Sequence, residues 1–194
     1  MIRGAERFSA TACLAGGTCL LSLFWIEAQA QAPTFKEYEV KAVFLFNFIQ
    51  FVEWPGKAFP AADTPLTIGV LGEDPFGDIL EQTIQGETIK HRKINLQRSR
   101  RFEDLKTCHL LFISKSEEGR LPQILREMAA TGALTVGESD HFCRLGGVIN
   151  FVTEKNKVRF EVCLAAAERS DLKMSAKLLK LAKICCPGRA AEGD

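Results

Sequence analysis

Short apolar runs that recur between helix-length segments constrain this chain more than any other feature. Residues 66–71 (LTIGVL) lie between Pro65 and Gly72, residues 108–114 (CHLLFIS) follow, and residues 133–137 (ALTVG) come third. Runs of this length without polar alternation suit strands buried on both faces, the pattern of a parallel sheet. Residues 88–96 read as a further strand carrying the basic cluster His91-Arg92-Lys93. Between the runs, residues 76–84 read as a helix with Asp74 as its cap and Pro75 at the first helical position, where the missing N–H costs nothing. Residues 116–128 read as a second, with Ser116 as cap, Glu117 and Glu118 in the first turn, and Leu121, Ile124, Leu125 and Met128 as its apolar stripe. The alternation predicts an α/β fold: a Rossmann-like, mostly parallel sheet flanked by helices, with right-handed crossovers.

The sheet is expected to end in an antiparallel hairpin. Residues 147–153 (GVINFVT) and 157–164 (KVRFEVCL) flank Lys155-Asn156, a connection compatible with a tight two-residue turn. Pairing Glu154 with Lys157 sets Thr153 opposite Val158, Phe151 opposite Phe160 and Ile149 opposite Val162 on the core face. The other face then carries Val152 beside Arg159, Asn150 beside Glu161 and Val148 beside Cys163. Asn150, Arg159 and Glu161 are thus candidate polar anchors for a ligand or a protein, the alternative being ion pairing beneath the last helix. That helix is expected over residues 170–184, with Leu172, Leu178, Leu179 and Ala182 opposing Lys173, Lys177, Lys180 and Lys183.

At the N-terminus, Arg3 and Arg7 precede an uncharged run over residues 8–26, and Ala28-Gln29-Ala30 supplies the small residues a signal peptidase accepts. Residues 1–30 are expected to be a cleavable export signal, with a retained anchor as the alternative. Residues 35–184 are then one α/β unit and 185–194 a flexible tail. With 25 basic against 24 acidic side chains, the chain has no general attraction for nucleic acid. Export to the periplasm implies an oxidising compartment. Five cysteines follow the leader: Cys108, Cys143, Cys163, Cys185 and Cys186. They show no CxxC or Cys/His spacing, so no metal is expected. Cys143 and Cys163 are a candidate disulfide, because a turn at Gly146-Gly147 brings the first toward the strand of the second. A loop of about twenty residues closed in this way adds roughly 3 kcal/mol.

The segment 38–54 (YEVKAVFLFNFIQFVEW) reads as a helix that is apolar nearly all round. Val40, Val43, Phe44, Phe48, Phe51 and Val52 form one stripe, assigned to the core, and Ala42, Leu45, Phe46 and Ile49 the other. Asn47 and Gln50 interrupt it, and it is too short to span a bilayer. The second stripe is covered either by the rest of the domain or by another copy or a partner, which makes Leu45, Phe46 and Ile49 the candidate partner-binding residues.

Ligands of open α/β sheets bind beyond the carboxyl ends of the strands. Here that rim carries Gly72-Glu73-Asp74, Ser114-Lys115-Ser116 and Glu138-Ser139-Asp140-His141. It is acidic and lacks the glycine-rich or lysine loops that cradle phosphates. No nucleophile elbow or zinc-binding helix motif occurs, so no catalytic residues and no cofactor are expected. Two alternatives stand beside a binding protein. One is a small-molecule module with its ligand near Asp74 and Glu138, and the other a hydrolase using His141 with a neighbouring acid.

FNFIQFVEWP, the stretch Leu71-Gly72-x-Asp74-Pro75-Phe76-Gly77, CHLLFIS, Gly146-Gly147 with INFV, and the closing VRFEVCLAAAERSDLKMSAKLLKLAK together resemble the YfiR family of secreted bacterial regulators. The resemblance implies a periplasmic, dimeric protein of Rossmann-like fold that acts by contact. It implies repression of a membrane diguanylate cyclase through that enzyme's periplasmic sensor domain, which lowers cyclic-di-GMP output; some relatives act with sensor kinases instead. The chain departs from the family in its thiols. Gly69 stands where the namesake has a cysteine, which leaves Cys108 without that partner, and Cys163 stands where many relatives carry Asn.

Overall fold

The computed structural model of the protein describes residues 31–186. The expected leader lies outside the described residues, as do residues 187–194 of the expected tail. Cys185 and Cys186 belong to the last strand rather than to a tail. The chain runs α1 (Gln31–Phe51), β1 (Val52–Glu53), β2 (Leu66–Leu71), α2 (Asp78–Ile84), β3 (Thr88–Ile89), β4 (Arg92–Ser99), β5 (Leu110–Ile113), α3 (Leu121–Met128), β6 (Leu134–Gly137), β7 (Ile149–Glu154), β8 (Lys157–Cys163), α4 (Leu164–Arg169), β9 (Lys173–Met174), α5 (Ala176–Leu179) and β10 (Lys183–Cys186).

Eight strands form one sheet in the order β10-β8-β7-β6-β5-β2-β4-β3, and β1 and β9 make a separate antiparallel clip. Most neighbours in the sheet are parallel; only the β7–β8 and β3–β4 pairs are antiparallel. The mostly parallel α/β architecture read from the sequence is the one observed. After β4 the chain crosses back over β2 to lay down β5, so strand order reverses at β2 and opens a crevice beyond the ends of β2 and β5.

The hairpin pairs as the alternation dictates: Glu154↔Lys157, Thr153↔Val158, Val152↔Arg159, Phe151↔Phe160, Asn150↔Glu161 and Ile149↔Val162. Its turn residues Lys155 and Asn156 both adopt positive φ, 51° and 58°, as the hairpin turns that match strand twist require. Phe151 and Phe160 are buried beneath α1 and meet Phe44 and Phe48, with Phe48 5.0 Å from Phe160 and 5.7 Å from Phe151 between ring centroids. On the opposite sheet face, Leu111, Ile113, Leu121, Ile124, Leu125, Met128 and Phe142 form a second apolar cluster.

Several elements differ from the sequence reading. The run 88–96 is two strands, because Lys90 and His91 turn at φ 50° and 67° and send β4 back along β3. The helix over 116–128 starts as a 3-10 turn, Lys115–Arg120, capped by Ser114, and becomes α-helical only at Leu121, beside Pro122. The expected helix over 170–184 is replaced by β9, the single turn of α5 and the edge strand β10, while the helix of this region is α4, one segment earlier. Asp171 takes φ 56°, a conformation no helix continues through. Leu172 and Leu178 are buried all the same, and Leu179 and Ala182 are half-buried against the core, but not as one helical stripe.

One buried polar side chain fastens the loop before β2. His109 Nδ1 accepts from the Thr67 N–H at 3.1 Å, and its Nε2 stands 3.0 Å from the Ala58 carbonyl oxygen, to which it donates in the neutral tautomer. The ring stacks on Phe59 at 4.5 Å, and the Arg92 guanidinium covers that ring at 4.2 Å. Burial holds the His109 pKa below its ordinary 6.5, with the Arg92 charge adding to it against the Ala58 carbonyl. The folded state therefore favours the neutral ring, and the unfolded chain binds the extra proton first. The contribution of His109 to stability is expected to be full above pH 6.5 and to fall as the pH drops from there toward the folded-state pKa. Urea titrations between pH 7.5 and 5 check this, and His109→Gln is expected to flatten the slope.

Candidate functional site

α1 crosses the crevice with one turn of polar side chains. Lys41, only 4 % exposed, places Nζ 2.6 Å from Glu138 Oε2 and 2.6 Å from Glu37 Oε1. The Tyr38 hydroxyl donates to the same Glu138 carboxylate at 3.1 and 3.3 Å, and the Lys41 ammonium lies 4.6 Å from the Tyr38 ring centroid. Burial raises the Tyr38 pKa, and the Glu138 charge and hydrogen bond raise it further, so Tyr38 stays a donor. A lysine buried this deeply is tolerated because two carboxylates and an aromatic face replace its water.

The other side of the crevice is built by loop chemistry. Asp74 Oδ1 accepts from the Phe76 N–H at 2.8 Å, and its Oδ2 accepts from Arg98 Nε at 2.7 Å. Asp74 is not the cap expected of it, because α2 starts at Asp78 with Gly77 as its N-cap and Pro75 lies outside the helix; it anchors the Arg98 guanidinium instead, which donates from Nη2 to the Gly77 carbonyl at 2.9 Å. Gly72 sits at φ 95°, and a Cβ there would meet Ser116 Oγ at 2.4 Å; only glycine lets the Ser116 hydroxyl reach the Glu73 N–H at 3.0 Å. Glu117 pairs with Arg120, and Glu73 with Arg100 at 3.7 Å. Two clefts of about 460 Å³ each open here, sharing Tyr38, Lys115 and Glu138. A larger groove of about 780 Å³ runs between α2 and β4 and has Arg98 in its wall.

Much of the rim's charge is therefore committed to internal pairs. His141 is exposed at φ 65° with its ring against Arg144, and the nearby Glu138 is held by Lys41 and Tyr38, so Glu138 is committed elsewhere and does not serve as the acid of the hydrolase alternative.

The polar anchors read from the hairpin share one sheet face but do not form a triad. Asn150 is 6 % exposed, and its Oδ1 lacks a hydrogen-bond partner among the described residues. Glu161 pairs with Lys183 of β10 at 2.9 Å, whereas Arg159 is exposed. Cys143 and Cys163 are both buried. The Cys143 sulfur groups with Glu161 and Cys185, a neighbour that sequence spacing did not bring to notice.

The candidate partner-binding stripe needs correction. Leu45 and Ile49 are 0 % exposed and lie in the core cluster with Ala42, Phe48 and Val52; Phe46 is half-buried and packs against that cluster. α2, the sheet and α5 cover this side of α1. The outward stripe is instead Val40 and Val43, at 44 % and 50 % exposure, which the sequence reading had assigned to the core. A helix apolar on every side gives no moment to orient it. The usable signal was Lys36, Glu39 and Gln50, which share the Val40–Val43 face and are all exposed.

Among solved structures, a conserved domain protein from Vibrio cholerae O1 biovar El Tor aligns with a TM-score of 0.52 at 8 % identity, over 76 % of this chain and 59 % of that one. The ABC domain in complex with L-Trp from Streptococcus pneumoniae aligns with a TM-score of 0.46 at 9 % identity, over 78 % of this chain and 60 % of that one. The chain thus spans about three fifths of the length of each, and the first supports the α/β fold alone. The family model described as YfiR/HmsC-like matches residues 38–183, from the tyrosine that opens the rim network to the first residue of the edge strand, and the chain belongs to that family.

Proposed function

We propose that this protein is a periplasmic regulator that works by contact, binding the periplasmic sensor domain of a membrane diguanylate cyclase and lowering its cyclic-di-GMP output. The observation that carries this reading is the family match over residues 38–183, and the internally paired rim agrees with it. A protein that acts by contact needs a surface, and the outer stripe of α1 supplies one. Val40 and Val43 stand in the open on a helix whose other faces are packed, with half-buried Phe46 one turn on. Because each valine is already half-buried, covering it at a partner is worth about 1 kcal/mol before association costs. A second copy of the chain on the same stripe would give the homodimer that the family resemblance implies.

Val40→Asp and Val43→Asp are expected to weaken capture of the cyclase sensor domain by about tenfold or more while leaving the melting temperature close to wild type, because neither side chain belongs to the core. Unaltered capture by both variants excludes the stripe, and failure of the wild-type protein to bind any such sensor domain excludes the pathway.

The paired clefts favour a second reading, in which a small molecule seated beside Tyr38, Glu138 and Asn150 is reported to a sensor kinase. Thermal stabilisation by a panel of small molecules, about 2.7 kcal/mol at 100 times the dissociation constant, separates this from the first.

A further inference from the structure

We propose that Cys143, Glu161 and Cys185 form a binding site for a thiophilic divalent cation of the zinc class, tying the edge strand to the body of the sheet. The two Sγ atoms and a Glu161 carboxylate oxygen all lie within 4.8 Å of one another. Tetrahedral zinc, with Zn–S near 2.3 Å and Zn–O near 2.0 Å, sets donor separations of roughly 3.5–3.8 Å. Side-chain adjustments of about an ångström close the set around an ion, with the fourth position left to water.

The donors come from three places that the fold brings together. Glu161 projects from β8 beside Lys183 of β10 through the register Lys183↔Glu161 and Ile184↔Val162, and the register shifts between Ile184 and Cys186, where the irregular strand brings the Cys185 sulfur beside the Glu161 carboxylate. Cys143 arrives from the loop between β6 and β7. That loop is fixed by Phe142, which is fully buried between Gly137 and Gly147; a Cβ on either glycine would fall 2.1–2.2 Å from its ring. Backbone bonds from Gly147 N to Phe142 O at 3.0 Å and from Gly146 N to Cys143 O at 3.1 Å complete the clamp. Cys143 is thereby held in place before any ligand arrives, which lowers the entropic cost of binding.

The charges suit a dication. Two thiolates and a carboxylate carry three negative charges, the Lys183 ammonium 2.9 Å from Glu161 Oε1 returns one positive, and a 2+ ion brings the cluster to neutrality. Lys183 holds one carboxylate oxygen and leaves the other for the ion, the outer-shell arrangement that orients metal-binding carboxylates. Beside Glu161 on the neighbouring strand, the buried Asn150 Oδ1 lacks a hydrogen-bond partner among the described residues, so this face is polar without being fully satisfied. No spacing motif announces the site, because its ligands converge from residues 143, 161 and 185.

Full-length protein, reduced with a phosphine that does not chelate, would be titrated with Co²⁺ and then with Zn²⁺. One equivalent of Co²⁺ is expected to give a thiolate-to-metal charge-transfer band that Zn²⁺ abolishes. Cys143→Ser and Cys185→Ser are expected each to lose about 100-fold or more in affinity, Glu161→Gln about tenfold, and Cys108→Ser nothing. Circular dichroism verifies that the variants fold; if Cys143→Ser does not, Cys185→Ser at the sheet edge decides alone. The proposal is overturned by a charge-transfer band that survives Cys185→Ser, by absence of the band in the wild-type protein, or by mass spectrometry showing Cys143 and Cys185 joined as a disulfide in protein isolated from its own compartment.

Discussion

Replacing Lys41 by Met is expected to destabilise the protein by about 3–5 kcal/mol, the cost of leaving one partner of a buried ion pair uncompensated. The Lys41 side chain is 6 % exposed and that of Glu138 9 %, so little water is available to replace the lost ammonium. The Tyr38 hydroxyl remains on Glu138, but a neutral donor offsets only part of a buried charge. Adding Glu138→Gln should restore most of the loss, since the amide oxygen still accepts from Tyr38. Urea unfolding of the single and double variants at pH 7 reads both quantities. A loss below about 1 kcal/mol at pH 7 would mean that water enters the crevice freely.

Gly69→Cys is expected to cross-link to Cys108 and to make the oxidised protein about 4 kcal/mol more stable than the same variant reduced, the chain-entropy value for a loop of about 40 residues. A Cβ built at Gly69 lies 2.7 Å from Cys108 Sγ and 3.3 Å from its Cβ, and 3.0 Å from Leu111 Cδ1. A sulfur carried on that Cβ would lie within bonding reach of Cys108 Sγ, and the Cβ pair needs to open by only a few tenths of an ångström. Reduced, the variant is overpacked and falls below wild type; oxidised, the contact becomes the bond. Burial pushes the Cys108 thiol up to about 12, so the thiolate is scarce in the folded protein and the cross-link forms best during folding in a glutathione buffer. Melting curves with and without reductant, together with the mass of the linked peptides, test it; identical curves for a fully linked sample would show that strain cancels the entropy.

The residues legible from sequence were those whose periodicity had a single solution. The hairpin of β7 and β8 was readable to the residue because a one-step slip would have put Phe151 and Phe160 in water and Arg159 in the core. The strands β2, β5 and β6 were readable because six- and four-residue apolar runs bounded by turn residues fit little else. α1 was recognised as a helix and turned the wrong way, since its apolar residues lie on every side, and Lys41 was missed as a buried residue because the carboxylate that sustains it, Glu138, lies 97 positions away. The lysine–leucine alternation after Ser170 satisfies a helix on paper, but Phe51 and Glu161 recruit its two ends by backbone pairing, a tertiary demand with no local trace. The thiol–carboxylate cluster was hidden for the same reason.

The small clip of β1 and β9 bears on how the molecule assembles. Val52 meets Met174, and Phe51 O receives the Ser175 N–H at 2.9 Å, joining segments about 120 residues apart with almost the whole sheet threaded between them. So distant a contact closes late in folding, after the strands between have found their neighbours. Until it does, the end of α1 presents Phe51 and Val52 bare, and a chain cut short before residue 173 never covers them. Chaperone dependence and aggregation during biogenesis should therefore rise steeply in truncations that remove only the last few elements.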